Sequence, residues 1–135
     1  MTNKELVKAW FAGIDSENFE AIKNLMDEKH KFYNPMTPAP AGVVEHLGMM
    51  QAMTSAFSGQ HHLDLVLEDG NHVVIKGHWI GKHTGTFNGV AATGNEVKFT
   101  FVDIFLIENG RVTKEHLEFN PMSLMVQIGA VPANA

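Results

Sequence analysis

The dipeptide Asn109–Gly110 constrains this chain more than any other two residues. It separates "VKFTFVDIFLIE" from "RVTKEHLEF", two segments whose polarity alternates with a period of two. Asn-Gly at such a junction favours a two-residue type I′ turn, because both central positions need positive φ. Two further segments, "HHLDLVLED" and "HVVIKGHWIGKH", share the period. Four long strands are therefore expected from Gln60 onward. Asp69–Gly70–Asn71, a glycine-rich loop from Thr84 to Asn95, and the Asn-Gly turn separate them.

The N-terminal third follows a helical period instead. Asn3 to Ala12 sets Leu6, Val7, Trp10 and Phe11 on one side, with a stop expected at Gly13. A second helix follows Asp15 and Ser16, either of which can cap it, and aligns Phe19, Ile22 and Met26. "KFYN" reads as a short strand, and the prolines between Asn34 and Gly42 make a rigid connection. A third helix is expected over Val43 to Phe57, striped by Leu47, Met50, Met53 and Phe57. Near the C-terminus Asn120 suits an N-cap, Pro121 the first helical position, and Gly129 the residue past the end. Helices followed by a curved antiparallel sheet give an α+β class and one domain over residues 1–135, with a cleft where the sheet wraps the helices.

Composition narrows the function classes. A net charge of −5, with no basic run, argues against a nucleic-acid partner. The absence of cysteine excludes disulfides, thiol catalysis and thiolate metal sites. No apolar run reaches the ~20 residues needed to cross a bilayer, and the first residues lack a secretory apolar core. A soluble, cytoplasmic protein without a membrane partner is expected.

Counting outward from the turn on an unbroken ladder opposes Phe105 to Lys114, Asp103 to His116, Phe101 to Glu118 and Phe99 to Asn120. All eight then share one face of the ribbon. An aspartate opposite a histidine holds one imidazole tautomer, and Glu118 adds a proton acceptor, so Asp103, His116 and Glu118 are the candidate catalytic set. The plainer alternative is a cross-strand ion pair on a solvated face. Phe99, Phe101 and Phe105 on the same face favour a cleft. The opposite face would carry Val102, Ile104, Leu117 and Phe119, with Thr113 and Glu115. His61–His62 reads as an exposed pair at a strand start. His78 and His83 differ in parity, so no metal site is expected. Met49, Met50 and Met53 either fill an irregular core or wall a pocket.

"GKHTGTFNG" (Gly81 to Gly89), "TGNEV" (Thr93 to Val97), "DIFLIENGRV" (Asp103 to Val112) and "NPMSLMVQIG" (Asn120 to Gly129) together resemble the SnoaL-like polyketide cyclases. These belong to the nuclear transport factor 2-like superfamily, with ketosteroid isomerase and scytalone dehydratase. The likeness spans Asn34 to Gly129. It implies a cone: a curved sheet closed by three N-terminal helices around an internal pocket, often dimeric through the outer sheet face. It also implies cofactor-free proton transfer on a small, largely apolar carbonyl-bearing molecule, by cyclisation, isomerisation or dehydration. The family's strand-end aromatic falls on His116 and its acid on Asn120, an amide that can orient a substrate or cap a helix but cannot exchange a proton. Tyr33, Asn34 and His83 are candidate hydrogen-bond donors to an enolate. Trp79, Phe101, Phe105 and Asn120 complete the expected substrate contacts. The alternatives are a binding protein of the same fold without turnover, or a dimeric structural module.

Overall fold

The computed structural model describes residues 1–132. In chain order the elements are α1 (Asn3–Asp15), α2 (Phe19–Asn24), β1 (Met26–Tyr33), α3 (Val43–Ala56), β2 (Phe57–Asp69), β3 (His72–His83), β4 (Glu96–Glu108), β5 (Arg111–Phe119) and α4 (Pro121–Gln127). The strands form one curved sheet in the order β1-β5-β4-β3-β2. Helix α1 lies against β2 and β3, and α3 against β1 and β2. The α+β arrangement read from the period change is the one observed.

Several local expectations are met for the reasons given. Asn109 and Gly110 have φ of 52° and 73°, as a type I′ turn requires. The side chain of Asn120 accepts from the Met122 and Ser123 backbone amides at 3.0 and 3.3 Å, and Pro121 follows it as the first helical residue. Others differ. Helix α1 continues through Gly13, because that glycine serves packing: a Cβ there would stand 2.8 Å from Ile22 Cγ1. Asn18, not Asp15 or Ser16, caps α2, accepting from Ala21 N at 3.2 Å. Strand β1 is longer than "KFYN" and pairs with β5 in parallel. Its alternation is hidden by an irregularity where Lys29 N donates to Asp27 Oδ1 at 2.8 Å.

Two apolar clusters fill the interior. One joins Trp10, Phe11 and Ile22 to Ile75, Phe105 and Ile107 beneath α1. The other joins Phe57, Trp79 and Val97 to Leu124 and Ile128 of the C-terminal segment. Each large side chain so buried stabilises the fold by about 1.5–3 kcal/mol. Among the described residues, no helix is long and apolar enough to cross a membrane.

The ladder between β4 and β5 is not unbroken. Glu108 pairs with Arg111 and Ile107 with Val112, but Leu106 then pairs with Lys114, leaving Thr113 as an extra residue. Its hydroxyl is shared between Leu106 O at 3.2 Å and Glu108 Oε1 at 3.1 Å, so the bulge keeps a polar partner. Beyond it every pair moves by one. Phe105 faces Glu115, Ile104 faces His116, Asp103 faces Leu117, and Val102 faces Glu118. Because side chains alternate, the expected β5 faces exchange. Glu115, Leu117 and Phe119 turn inward, while His116 and Glu118 turn outward and are exposed.

Candidate active site

A cavity of about 260 Å³ opens between α1, α3 and the concave face of the sheet. Its wall is chiefly apolar. Trp10 and Phe11 come from α1, while Met49, Met50 and Met53 come from α3, whose methionine stripe thus lines a pocket. Strand β4 contributes Phe99, Phe101 and Asp103 at alternate positions, and β5 contributes Glu115, Leu117 and Phe119. The bulge at Thr113 brings Glu115 to the same cavity as Asp103.

Asp103 and Glu115 are 1% and 3% exposed. As carboxylates, both Asp103 oxygens and Glu115 Oε1 would lack any partner with hydrogen-bond geometry among the described residues. Burial, and then the adjacent Glu115 carboxyl, push Asp103 well above the usual carboxylate range. Burial pushes Glu115 up to about 7, partly offset by a hydrogen bond from Asp103. The pair therefore holds at least one proton through neutrality.

Two histidines stand behind Glu115 and do not neutralise it. His30 Nδ1 lies 3.1 Å from the Val112 carbonyl, which can only accept, so that nitrogen carries the hydrogen. His30 Nε2 is then an acceptor and takes the proton of His46 Nδ1 at 2.9 Å. His46 Nε2 is left as a lone pair facing Glu115 Oε1 at 3.7 Å, too far for a hydrogen bond. Burial holds both imidazoles below their ordinary range, His46 down to about 2, so neither supplies a positive charge. The His46 ring stacks on Phe32 with centroids 3.7 Å apart, which fixes its plane. His30, His46 and Glu115 place potential metal-ligating atoms within 4.8 Å of one another. The hydrogen bond between the rings already uses one nitrogen of each, so only His46 Nε2 and Glu115 remain free to converge. The indole Nε1 of Trp10, fully buried on the cavity wall, has no hydrogen-bond partner among the described residues either.

Of the residues singled out in the sequence, Asp103, Asn34, Trp79 and Phe101 line the cavity. Phe105 lies in the core beneath it. Tyr33 stacks on His116 outside it, with centroids 4.4 Å apart. His83 is buried against Phe57 in the second cluster, its Nδ1 accepting from Thr93 N at 3.2 Å. Asn120 is occupied with capping α4. Sequence reasoning missed Glu115, because nothing in "RVTKE" marks a bulge. It also missed His46, although His46 lies one turn before Met50 on the α3 stripe, a signal that was available. His61, read as exposed, also faces the cavity.

A model of the family described as SnoaL-like polyketide cyclase matches residues 4–128 of the chain. AclR from Streptomyces galilaeus superposes with a TM-score of 0.87 at 20% identity, covering 96% of this chain and 82% of that one. IdmH, a candidate polyketide cyclase from Streptomyces antibioticus, gives 0.86 at 17% identity, covering 96% and 99%. TsrD from Streptomyces laurentii gives 0.80 at 21%, covering 94% of each chain. At these identities the structural likeness establishes the cone-shaped fold. Among curated proteins, none matches this chain.

Proposed function

Since the chain belongs to the SnoaL-like polyketide cyclase family, we propose that it moves protons on a small, largely apolar carbonyl compound without a cofactor. Asp103 and Glu115 are the exchanging groups. The observation that carries this reading is a pair of carboxyls on the wall of an apolar cavity, unneutralised by any cation among the described residues.

The two acids take different roles because their environments differ. Glu115, titrating near neutrality, is the base: it takes the proton from the carbon beside the carbonyl. The electron pair moves onto the carbonyl oxygen. Asp103, kept protonated, donates a hydrogen bond to that oxygen, and Trp10 Nε1–H is a second donor on the wall. The resulting enolate can be reprotonated elsewhere, lose a β-hydroxyl, or attack a second carbonyl. His116 and Glu118, on the outer face, have no part in this scheme.

The test is α-proton exchange of 2-tetralone in heavy water, followed by NMR. Glu115→Gln is expected to slow the catalysed exchange by about 10²–10⁴-fold. Asp103→Asn, which can still donate a hydrogen bond, should retain more activity than Asp103→Ala. Wild-type protein that binds the ketone without exchanging its protons would instead be a binding protein without turnover.

We further propose that a second copy of the chain covers the outer sheet face. Leu67, Val74 and Ile104 run in one row across β2, β3 and β4, and Leu65 and Val102 flank Lys76 in the next. Leu117 and Phe119, expected in that surface, face the cavity instead.

A further inference from the structure

The cavity contains a second polar pair that the proton-transfer scheme does not use. His61, on β2, and Asp15, the last residue of α1, both line it. Asp15 grips residue 61 twice: Oδ1 lies 2.6 Å from the ring Nδ1, and Oδ2 accepts the His61 backbone amide at 3.0 Å. A carboxylate can only accept, so Nδ1 carries the hydrogen. In the neutral ring Nε2 is a lone pair, and it has no hydrogen bond among the described residues. The ring is wedged against Phe11 at 5.1 Å and edge-on to Phe101 at 5.6 Å, so its direction is set by packing as well.

The placement of Asp15 is locally unfavourable. A negative side chain at a helix C-terminus opposes the helix dipole, and α1 has no basic residue in its last turn to offset it. The pair is also only about one-fifth exposed, at 17% for His61 and 20% for Asp15. A local rule broken inside a cavity, with one ring nitrogen left open, marks a site for a ligand group.

Position then says which part of the ligand. Across the ladders His61 stands opposite Trp79, and Trp79 opposite Phe99. Asp103 is four residues further along β4, and the His61 ring leans over the first half of that stretch, edge-on to Phe101. Phe11 and Phe101 fill the space between as an apolar spacer. The molecule spanning it is therefore apolar in the middle and oxygenated at both ends.

We propose that His61, positioned by Asp15, receives a hydroxyl or enol oxygen at the end of the ligand remote from the carbonyl held by Asp103 and Glu115. Nε2 accepts the hydroxyl hydrogen. This deepens the proposed function and rests on it. The substrate class becomes ketones with a hydroxyl at the far end rather than simple ones.

The experiment compares 2-tetralone with 6-hydroxy-2-tetralone by calorimetry on wild type, His61→Phe and His62→Phe. His61→Phe keeps an aromatic ring against Phe11 and Phe101. His62 faces out, stacked on His78 with centroids 4.7 Å apart, and serves as the control. Wild type and His62→Phe are expected to prefer the hydroxylated ketone by about tenfold, the worth of one hydrogen bond to a buried acceptor. His61→Phe should lose that preference. Asp15→Ala should weaken it, and Asp15→Asn, which retains an acceptor for Nδ1, should restore part of it. If His61→Phe does not fold, wild type still decides: NOEs must join the His61 ring to the ligand proton beside its hydroxyl. Binding of both ketones without preference, or a preference that survives in His61→Phe, overturns this proposal alone. Failure of both to bind overturns the ketone reading of the cavity along with it.

Discussion

Glu115 shares the energetic cost of the site with Asp103. The Glu115 carboxyl is raised from an ordinary 4.5 to about 7, so the folded chain keeps a proton that the unfolded chain releases. The stability linked to it is complete below about pH 4.5, declines as pH rises, and is gone above about 7. A shift of that size corresponds to something on the order of 3 kcal/mol. His30 and His46 act in the opposite sense: held neutral by burial, they lower stability as pH falls below 6.5. Between 4.5 and 6.5 the two effects oppose each other, and above 6.5 the acids act alone. Urea titrations should therefore show wild type losing stability from pH 6.5 to 8.5. Glu115→Gln should be more stable than wild type at pH 8.5 and show a flatter profile. An unchanged slope in the variant would mean that Glu115 is not the group holding the proton.

Among the elements, β5 shows how far reading from sequence reaches. The strand, its turn and its partner were legible, because Asn109–Gly110 and period-two alternation are local signals. So was the cap at Asn120. The facing of β5 was not, since it depends on Thr113 dropping out of the ladder, and a threonine in a strand is ordinary. Asp103 and Phe101 were reached because β4 keeps its parity, and Trp79 because its ladder to β4 is unbroken. Glu115 was lost with the register. The His30–His46 contact joins β1 to α3 across the fold and leaves no spacing to detect. The bulge itself can be tested. Thr113→Val removes the hydroxyl shared by Leu106 O and Glu108 and should cost about 1 kcal/mol in chemical denaturation. Deleting Thr113 should leave Glu115 opposite Phe105 and facing the cavity, so proton exchange should persist, because the pairs on either side of the bulge then join in an unbroken ladder.

Over the whole molecule, the sheet has one face that holds the cavity and another that offers an apolar surface to water. Ile104 and Val102 are 39% and 42% exposed on the latter, in rows shared with Leu67 and Leu65. If a second copy covers them, sedimentation should find a dimer. Ile104→Glu should then shift the equilibrium to monomer, weakening association by ~10-fold or more, while the cavity still binds ketone. A wild-type monomer would leave this face to another role. The boundary between the two faces is set by a single surplus residue. Strand β5 holds two side-chain sets in one stretch of chain: Glu115, Leu117 and Phe119, or Lys114, His116 and Glu118. Which set the interior receives is decided by whether Thr113 pairs in the ladder or drops out of it, not by the identity of these residues. A lineage carrying such a strand can therefore exchange its reactive groups by opening or closing one bulge, with no substitution at any of these positions.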